Sequence, residues 1–209
     1  MVKIKQISVR GFDNNFSYLV TGDGIHSNEG VLIDPTGNAE TIENEISKNK
    51  LKILLQIFTH SHPDHCELLE YFQKKGIPQF IPKEKPLGAV EKLEVAGMKI
   101  NIIHTPGHTK ESVCFLIENN LFTGDTLLVK GVGTTRYGGD EKLLDNSLQL
   151  ISTLNEKTTL WPGHAYGGNS STLGEALANS HIRPSPKTHE LIKKKVEEYE
   201  SKSGSKKKF

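Results

Sequence analysis

Cysteine is scarce in this 209-residue sequence, with Cys66 and Cys114 the only two. One pair cannot build a disulfide framework, and neither has partner cysteines at zinc-finger spacing. A reducing, cytoplasmic compartment is therefore expected. Long apolar runs are missing as well. No stretch nears the roughly 20 apolar residues of a membrane span, and the opening MVKIKQISVRGF lacks the apolar core of a signal peptide. Nor is one charge in surplus: Lys+Arg 26 against Asp+Glu 25 leaves +1, which provides no basic field for nucleic acid. The one basic cluster, Lys206 to Lys208, is short enough to read as part of a solvated, flexible tail at 202–209. The rest, 1–201, has the length of one domain whose core needs no staple.

Short strands are expected at 3–10, 16–21, 30–33, 52–58, 79–82, 99–103, 113–117, 121–123 and 159–161, set off by Gly, Asp and Pro punctuation. Helical spacing marks 36–49, 66–75, 141–154 and 188–201. Pro63 is expected to break any helix beginning there. Strands in two batches interleaved with helices predict a layered α/β domain.

What the sequence does have is histidine, nine in all. Five of them fall at strand ends: His60, His62 and His65 after 52–58, His108 after 99–103, and His164 after 159–161. Asp64 joins the first group and Asp125 follows 121–123. Loops at strand ends are where a rigid scaffold presents functional groups. Imidazole mixed with carboxylate suits zinc, iron or manganese. Seven donors exceed one tetrahedral ion but suit two ions sharing a carboxylate. Crowding three imidazoles and a carboxylate into six residues would be costly without a cation to gather them. His26, His104, His181 and His189 lie outside this pattern and read as ordinary residues.

His60-Ser-His62-Pro-Asp64-His65 is the HxHxDH signature of the metallo-β-lactamase superfamily. Thr105-Pro-Gly-His108-Thr, Phe122-Thr-Gly-Asp125-Thr and Pro162-Gly-His164 follow at family-like gaps: 43 residues from His65 to His108, 17 to Asp125 and 39 to His164. Upstream, the run from Asp13 to Val20 and then Val31-Leu-Ile-Asp34-Pro resembles the family's first strands. The resemblance covers roughly 1–185. It implies an αββα sandwich with a metal site at strand ends on one edge. It also implies a ligand set: His60, His62 and His108 for one ion, Asp64, His65 and His164 for the other, and Asp125 bridging.

Within the superfamily the chain resembles the glyoxalase II branch, hydroxyacyl-thioester hydrolases, and the related persulfide dioxygenases. The stretch from Gly124 through Arg136-Tyr-Gly-Gly-Asp140 resembles their loop after the bridging aspartate, and His164-Ala-Tyr166 their His-x-Tyr. Arg136 and Tyr166 are thus the candidate substrate-binding residues. The implied enzyme is a binuclear metallohydrolase with two divalent ions, zinc first and iron or manganese as alternatives. It would cleave a small thioester with a metal-bridging hydroxide that Asp64 helps orient; Asp64 and Asp125 are the candidate catalytic carboxylates. Gly131-Val-Gly133-Thr-Thr lacks the cysteine and early arginine usual in that loop, which leaves glutathione as carrier unassured. The rival is a mononuclear iron persulfide dioxygenase using His60, His108 and Asp125. Lactone hydrolysis and a non-catalytic metal-binding protein also stay open, as does the oligomeric state. Neither nucleic acid nor membrane is an expected partner. Flavo-diiron proteins carry glutamate where this chain has His62, and exported β-lactamases lack the equivalent of Asp125.

Overall fold

The computed structural model describes residues 1–9, 12–182 and 207–208. The expected helix at 188–201 and the domain boundary at 201 lie outside them, as does the tail apart from Lys207 and Lys208. In chain order the elements are β1 (Lys3–Ser8), β2 (Phe16–Thr21), β3 (Glu29–Ile33), α1 (Ala39–Lys48), β4 (Lys52–Ile57), α2 (Pro63–Cys66), α3 (Leu69–Lys74) and β5 (Gln79–Phe80). They continue with β6 (Val90–Val95), β7 (Met98–His104), β8 (Val113–Ile117), β9 (Asn120–Gly124), α4 (Glu141–Ile151), β10 (Thr159–Pro162), β11 (Ser171–Thr172), α5 (Leu173–Asn179) and β12 (Lys207–Lys208).

Two sheets form, ordered β1-β2-β3-β4-β5 and β11-β10-β9-β8-β7-β6-β12. Alternation along the strands explains how they stack. On β2, Phe16, Tyr18 and Val20 face the second sheet, while Leu19 faces outward. Tyr18, Val31, Ile33, Leu55 and Ile57 meet Leu93, Ile100, Ile102, Phe115 and Phe122 across the sandwich. The outer face of the first sheet packs Leu19 and Leu32 against Ile42 and Phe72 of α1 and α3. The outer face of the second packs Leu121 and Leu160 against Leu144, Leu148, Ala176 and Leu177 of α4 and α5. Covering both faces is why β2, β3 and β4 read as nearly continuous apolar runs. The result is the αββα sandwich that the resemblance implied.

Topology brings the chemistry to one edge. Strands β3, β4 and β5 run parallel, so Asp34 and the segment from Thr59 to His65 emerge at one end. Strands β9 and β10 are also parallel, which sets Asp125 beside His164. The sheets are tied there by an Asn15–His164 bridge, by the Phe16 amide donating to Gly163 O (2.9 Å) and by the Val113 amide donating to Thr59 O (2.9 Å).

Several expectations need correction. Pro63 starts a helix rather than breaking one: it occupies the first position of α2, where its missing N–H costs no bond. The helix expected at 66–75 is two pieces, because the Leu68 amide donates to Pro35 O instead of to a helical carbonyl. Strand β6 was not expected. Glu91 occupies the inward-facing position that an apolar residue would mark, where it bonds His104 and Lys85. The short α5 was also unforeseen, though Thr172 and Glu175 form a capping box at its start. Among the described residues, no helix is long and apolar enough to cross a membrane.

Candidate metal centre

All seven strand-end donors converge. His108 Nε2 stands 3.2 Å from His60 Nε2 and 2.9 Å from His62 Nδ1. On the other side, His65 Nε2 is 3.2 Å from His164 Nε2, and Asp64 Oδ2 is 3.5 Å from His164 Nε2. Asp125 lies between them, with Oδ2 3.2 Å from His164 Nε2 and 3.6 Å from His108 Nε2, and Oδ1 3.5 Å from His65 Nε2. Donor atoms group as His60, His62 and His108; as His60, His65 and Asp125; and as Asp64, His65 and His164.

The far side of each ring decides what these approaches mean. Nδ1 of His108 donates to Thr134 O (2.7 Å) and Nδ1 of His164 to Asp13 O (2.9 Å). Nδ1 of His65 donates to Asp34 Oδ2 (3.1 Å). The Thr59 hydroxyl donates to Asp34 Oδ2 (2.6 Å) and so accepts from His60 Nδ1 (3.0 Å). A carbonyl or carboxylate can only accept, so the hydrogen sits on Nδ1 and the lone pair on Nε2. In their neutral forms the four rings therefore turn Nε2 lone pairs inward, in two facing pairs. Two nitrogens each about 2.1 Å from one tetrahedral ion would stand roughly 3.4 Å apart, close to the separations here. Anchoring the far nitrogen to a carbonyl or carboxylate is how ligating histidines are held. The donor set fits divalent metal, and Asp125 Oδ1 and His62 Nε2 are buried with no hydrogen-bond partner.

Electrostatics agree with a site made for cations. Burial holds the His60 imidazole well below its ordinary pKa, and the neighbouring His65 adds to this. Burial lowers His108 too. Burial also opposes charge on His65, but Asp125 and Asp34 outweigh it and raise that pKa well above the usual value. Burial likewise opposes ionisation of Asp125, yet His65 and His164 hold its carboxyl well below the carboxylate range.

Local sequence permits the crowding. A Cβ at Gly163 would stand 2.5 Å from Asp125 Oδ1 and 2.7 Å from His65 Cε1, so only glycine fits there. Asn15 Nδ2 donates to Asp64 O (3.0 Å) and Oδ2 (3.1 Å), which fixes that carboxylate. Cys66 is half-buried, donates to His62 O (3.0 Å), and burial pushes its thiol up to about 12, too high for a nucleophile.

The cluster opens into a cavity of about 1000 Å³. Tyr166 lines it, stacks on His164 and donates to Asp13 Oδ2, a bond that pushes its own pKa up to about 12. Arg136 does not reach the cavity. It lines a neighbouring groove with Glu141 and Asp145, and its neighbour Tyr137 faces the cavity instead, with its ring edge-on to His62. His104 is buried against Glu91, outside the donor groups. Asp34, Asn15, Thr59 and the Asp13 carbonyl hold the donors in place without having been singled out as site residues. Their sequence signal was position within or just after the first strands and, for Asp13, Asn15 and Asp34, the runs there that resemble the family's.

Residues 10–79 and 68–164 match the metallo-beta-lactamase superfamily. The chain is 28% identical over 203 residues to a probable hydroxyacylglutathione hydrolase of Schizosaccharomyces pombe, covering 88% of this chain and 74% of that protein. It is 32% identical over 185 residues to a hydroxyacylglutathione hydrolase of Xylella fastidiosa strain M23, covering 83% and 66% respectively. Among solved structures, the BLEG-1 B3 metallo-beta-lactamase superposes with a TM-score of 0.75 at 27% identity, over 86% of this chain and 99% of that one. With its motifs, sandwich and donor cluster in agreement, the chain belongs to the metallo-beta-lactamase superfamily and is similar to its glyoxalase II branch.

Proposed function

We propose that the chain is a binuclear metallohydrolase that cleaves small acyl thioesters. One observation carries the reading: four Nδ1-anchored imidazoles turn facing Nε2 lone pairs onto a shared carboxylate at the floor of a cavity. His60, His62 and His108 would hold one ion, Asp64, His65 and His164 the other, with Asp125 between them. When bound, a divalent pair supplies a water of lowered pKa and polarises a carbonyl oxygen. Zinc suits the nitrogen-rich set, and iron or manganese would be accepted by the same donors.

The chain's own groups do the positioning. Asp64, pinned by Asn15, sets a carboxylate beside His164 to orient the attacking water and accept its proton. Leu128 and Val132 provide apolar wall along the cavity, and the rings of Tyr137 and Tyr166 border its opening. Hydrolysis adds water across the C–S bond and releases an acid and a thiol. The hydroxyacylglutathione hydrolases among the relatives support the thioester class.

Metal content of protein purified without added metal, read beside two assays, tests the proposal. About two divalent ions per chain and hydrolysis of a hydroxyacyl thioester are expected. One iron per chain with oxygen uptake on a persulfide, and no thioester cleavage, would replace it with the dioxygenase reading.

A further inference from the structure

The cavity is divided by charge. Its floor is the buried donor cluster, where cations belong. Its exposed lining is different: Asp13, Glu67, Pro63, Val132, Thr134, Tyr137 and Tyr166. Among the described residues lining it, none is lysine or arginine.

Both rim carboxylates are fixed in place. Asp13 and Asn14 have φ of 67° and 57°, left-handed conformations that Asp and Asn tolerate better than most residues. The Asp13 carboxylate accepts from the Tyr166 hydroxyl, while its carbonyl holds His164. Elsewhere on the lining, Glu67 Oε2 accepts from the Gly37 amide (3.1 Å) and the Thr36 hydroxyl (3.5 Å). These bonds come from neutral donors, and no described lysine or arginine pairs with either carboxylate. The apolar contributions of Val132 and Tyr137, 37% and 74% exposed, complete the rim.

A thioester with its carbonyl over the floor must pass its thiol carrier through this rim. We infer that the cavity selects thioesters of uncharged or net-cationic thiols and disfavours carriers of net negative charge, glutathione included, whose two carboxylates outweigh its one ammonium. The inference rests on the proposed thioester reading for its reaction, but not for its charge preference. Like charges brought together at a binding surface reduce affinity, and separation by salt exposes the effect. A carrier with an apolar body finds Val132 and Tyr137, and an ammonium finds Asp13 or Glu67.

Binding separates the inference from the reaction. The full-length, metal-loaded protein is titrated calorimetrically at low salt with two non-hydrolysable thioethers of equal chain, S-hexylglutathione and S-hexyl-N-acetylcysteamine. The neutral thioether is expected to bind about tenfold more tightly, with the ratio shrinking as salt rises. In the Asp13→Asn/Glu67→Gln double variant the glutathione thioether should gain several-fold and the neutral one should hardly change. Equal binding, or tighter binding of the glutathione thioether by the wild type, overturns the inference. Should the neutral thioether win while neither S-lactoyl thioester of these carriers is hydrolysed, the charge selection stands and the proposed reaction fails.

Discussion

His60, His62 and His108 reach the centre from β4 and from the loop after β7, and their outer contacts are uneven. His60 leans on Thr59 and His108 on the Thr134 carbonyl, while His62 has its far nitrogen buried without a partner. Asp64, His65 and His164 are each tied to the first sheet or the segment leading into it, through Asn15, Asp34 and the Asp13 carbonyl. The second half is thus held on all its members, and the first keeps one ring free to adjust. Anchoring of this kind sets ligand orientation and typically changes metal affinity by about 10- to 100-fold. The comparison teaches that the two halves should differ in rigidity and in how they lose metal, although their donors look equivalent in the sequence.

The largest effect should come from breaking what both halves share. Asp125→Asn is expected to lower thioesterase kcat/KM on the order of a thousandfold and to reduce metal content on both sides. Full activity in that variant would mean the donor assignment is wrong. Next comes Asp34→Asn, which replaces one of two acceptor oxygens with a donor amide and so disturbs the hold on His65 and on the Thr59 hydroxyl behind His60. A loss of about 10- to 100-fold in metal affinity is expected, read by competition with a chelating dye. Sharper discrimination comes from Asn15→Ala against Thr59→Val. The first should weaken one metal equivalent by roughly tenfold through Asp64, and the second should weaken the other through His60. Identical losses in the two variants would erase the distinction between the halves.

Smallest is the effect expected at Cys66. Because burial raises its thiol to about 12, the thiolate is scarce at pH 8 and grows only as pH rises toward that value. Cys66→Ala should leave kcat within about twofold, and iodoacetamide at pH 8 should not inactivate the wild type. Rapid inactivation would show that the thiol takes part.

How much of this was legible before folding differs by the range over which each signal acts. Donors at strand ends could be read because each sits beside its own apolar run, as His60 does after β4 and Asp125 after β9. Their anchors could not, since His65 meets Asp34 across 31 residues and His164 meets the Asp13 carbonyl across 151. Such pairings exist only once β3 pairs with β4, β9 pairs with β10 and the two sheets stack. Arg136 shows the same limit at close range: in an exposed loop, neighbouring side chains diverge, and Tyr137 took the place expected of the arginine. Strand β6 escaped because Glu91 pairs with buried His104, so a carboxylate stood where period-two reasoning looks for an apolar residue.

Stepwise reconstitution tests most directly whether two divalent ions serve one thioesterase site. Metal-free protein titrated with zinc should regain thioester hydrolysis until about two equivalents are bound per chain. Activity that is complete at one equivalent, with no second ion bound, would contradict the account.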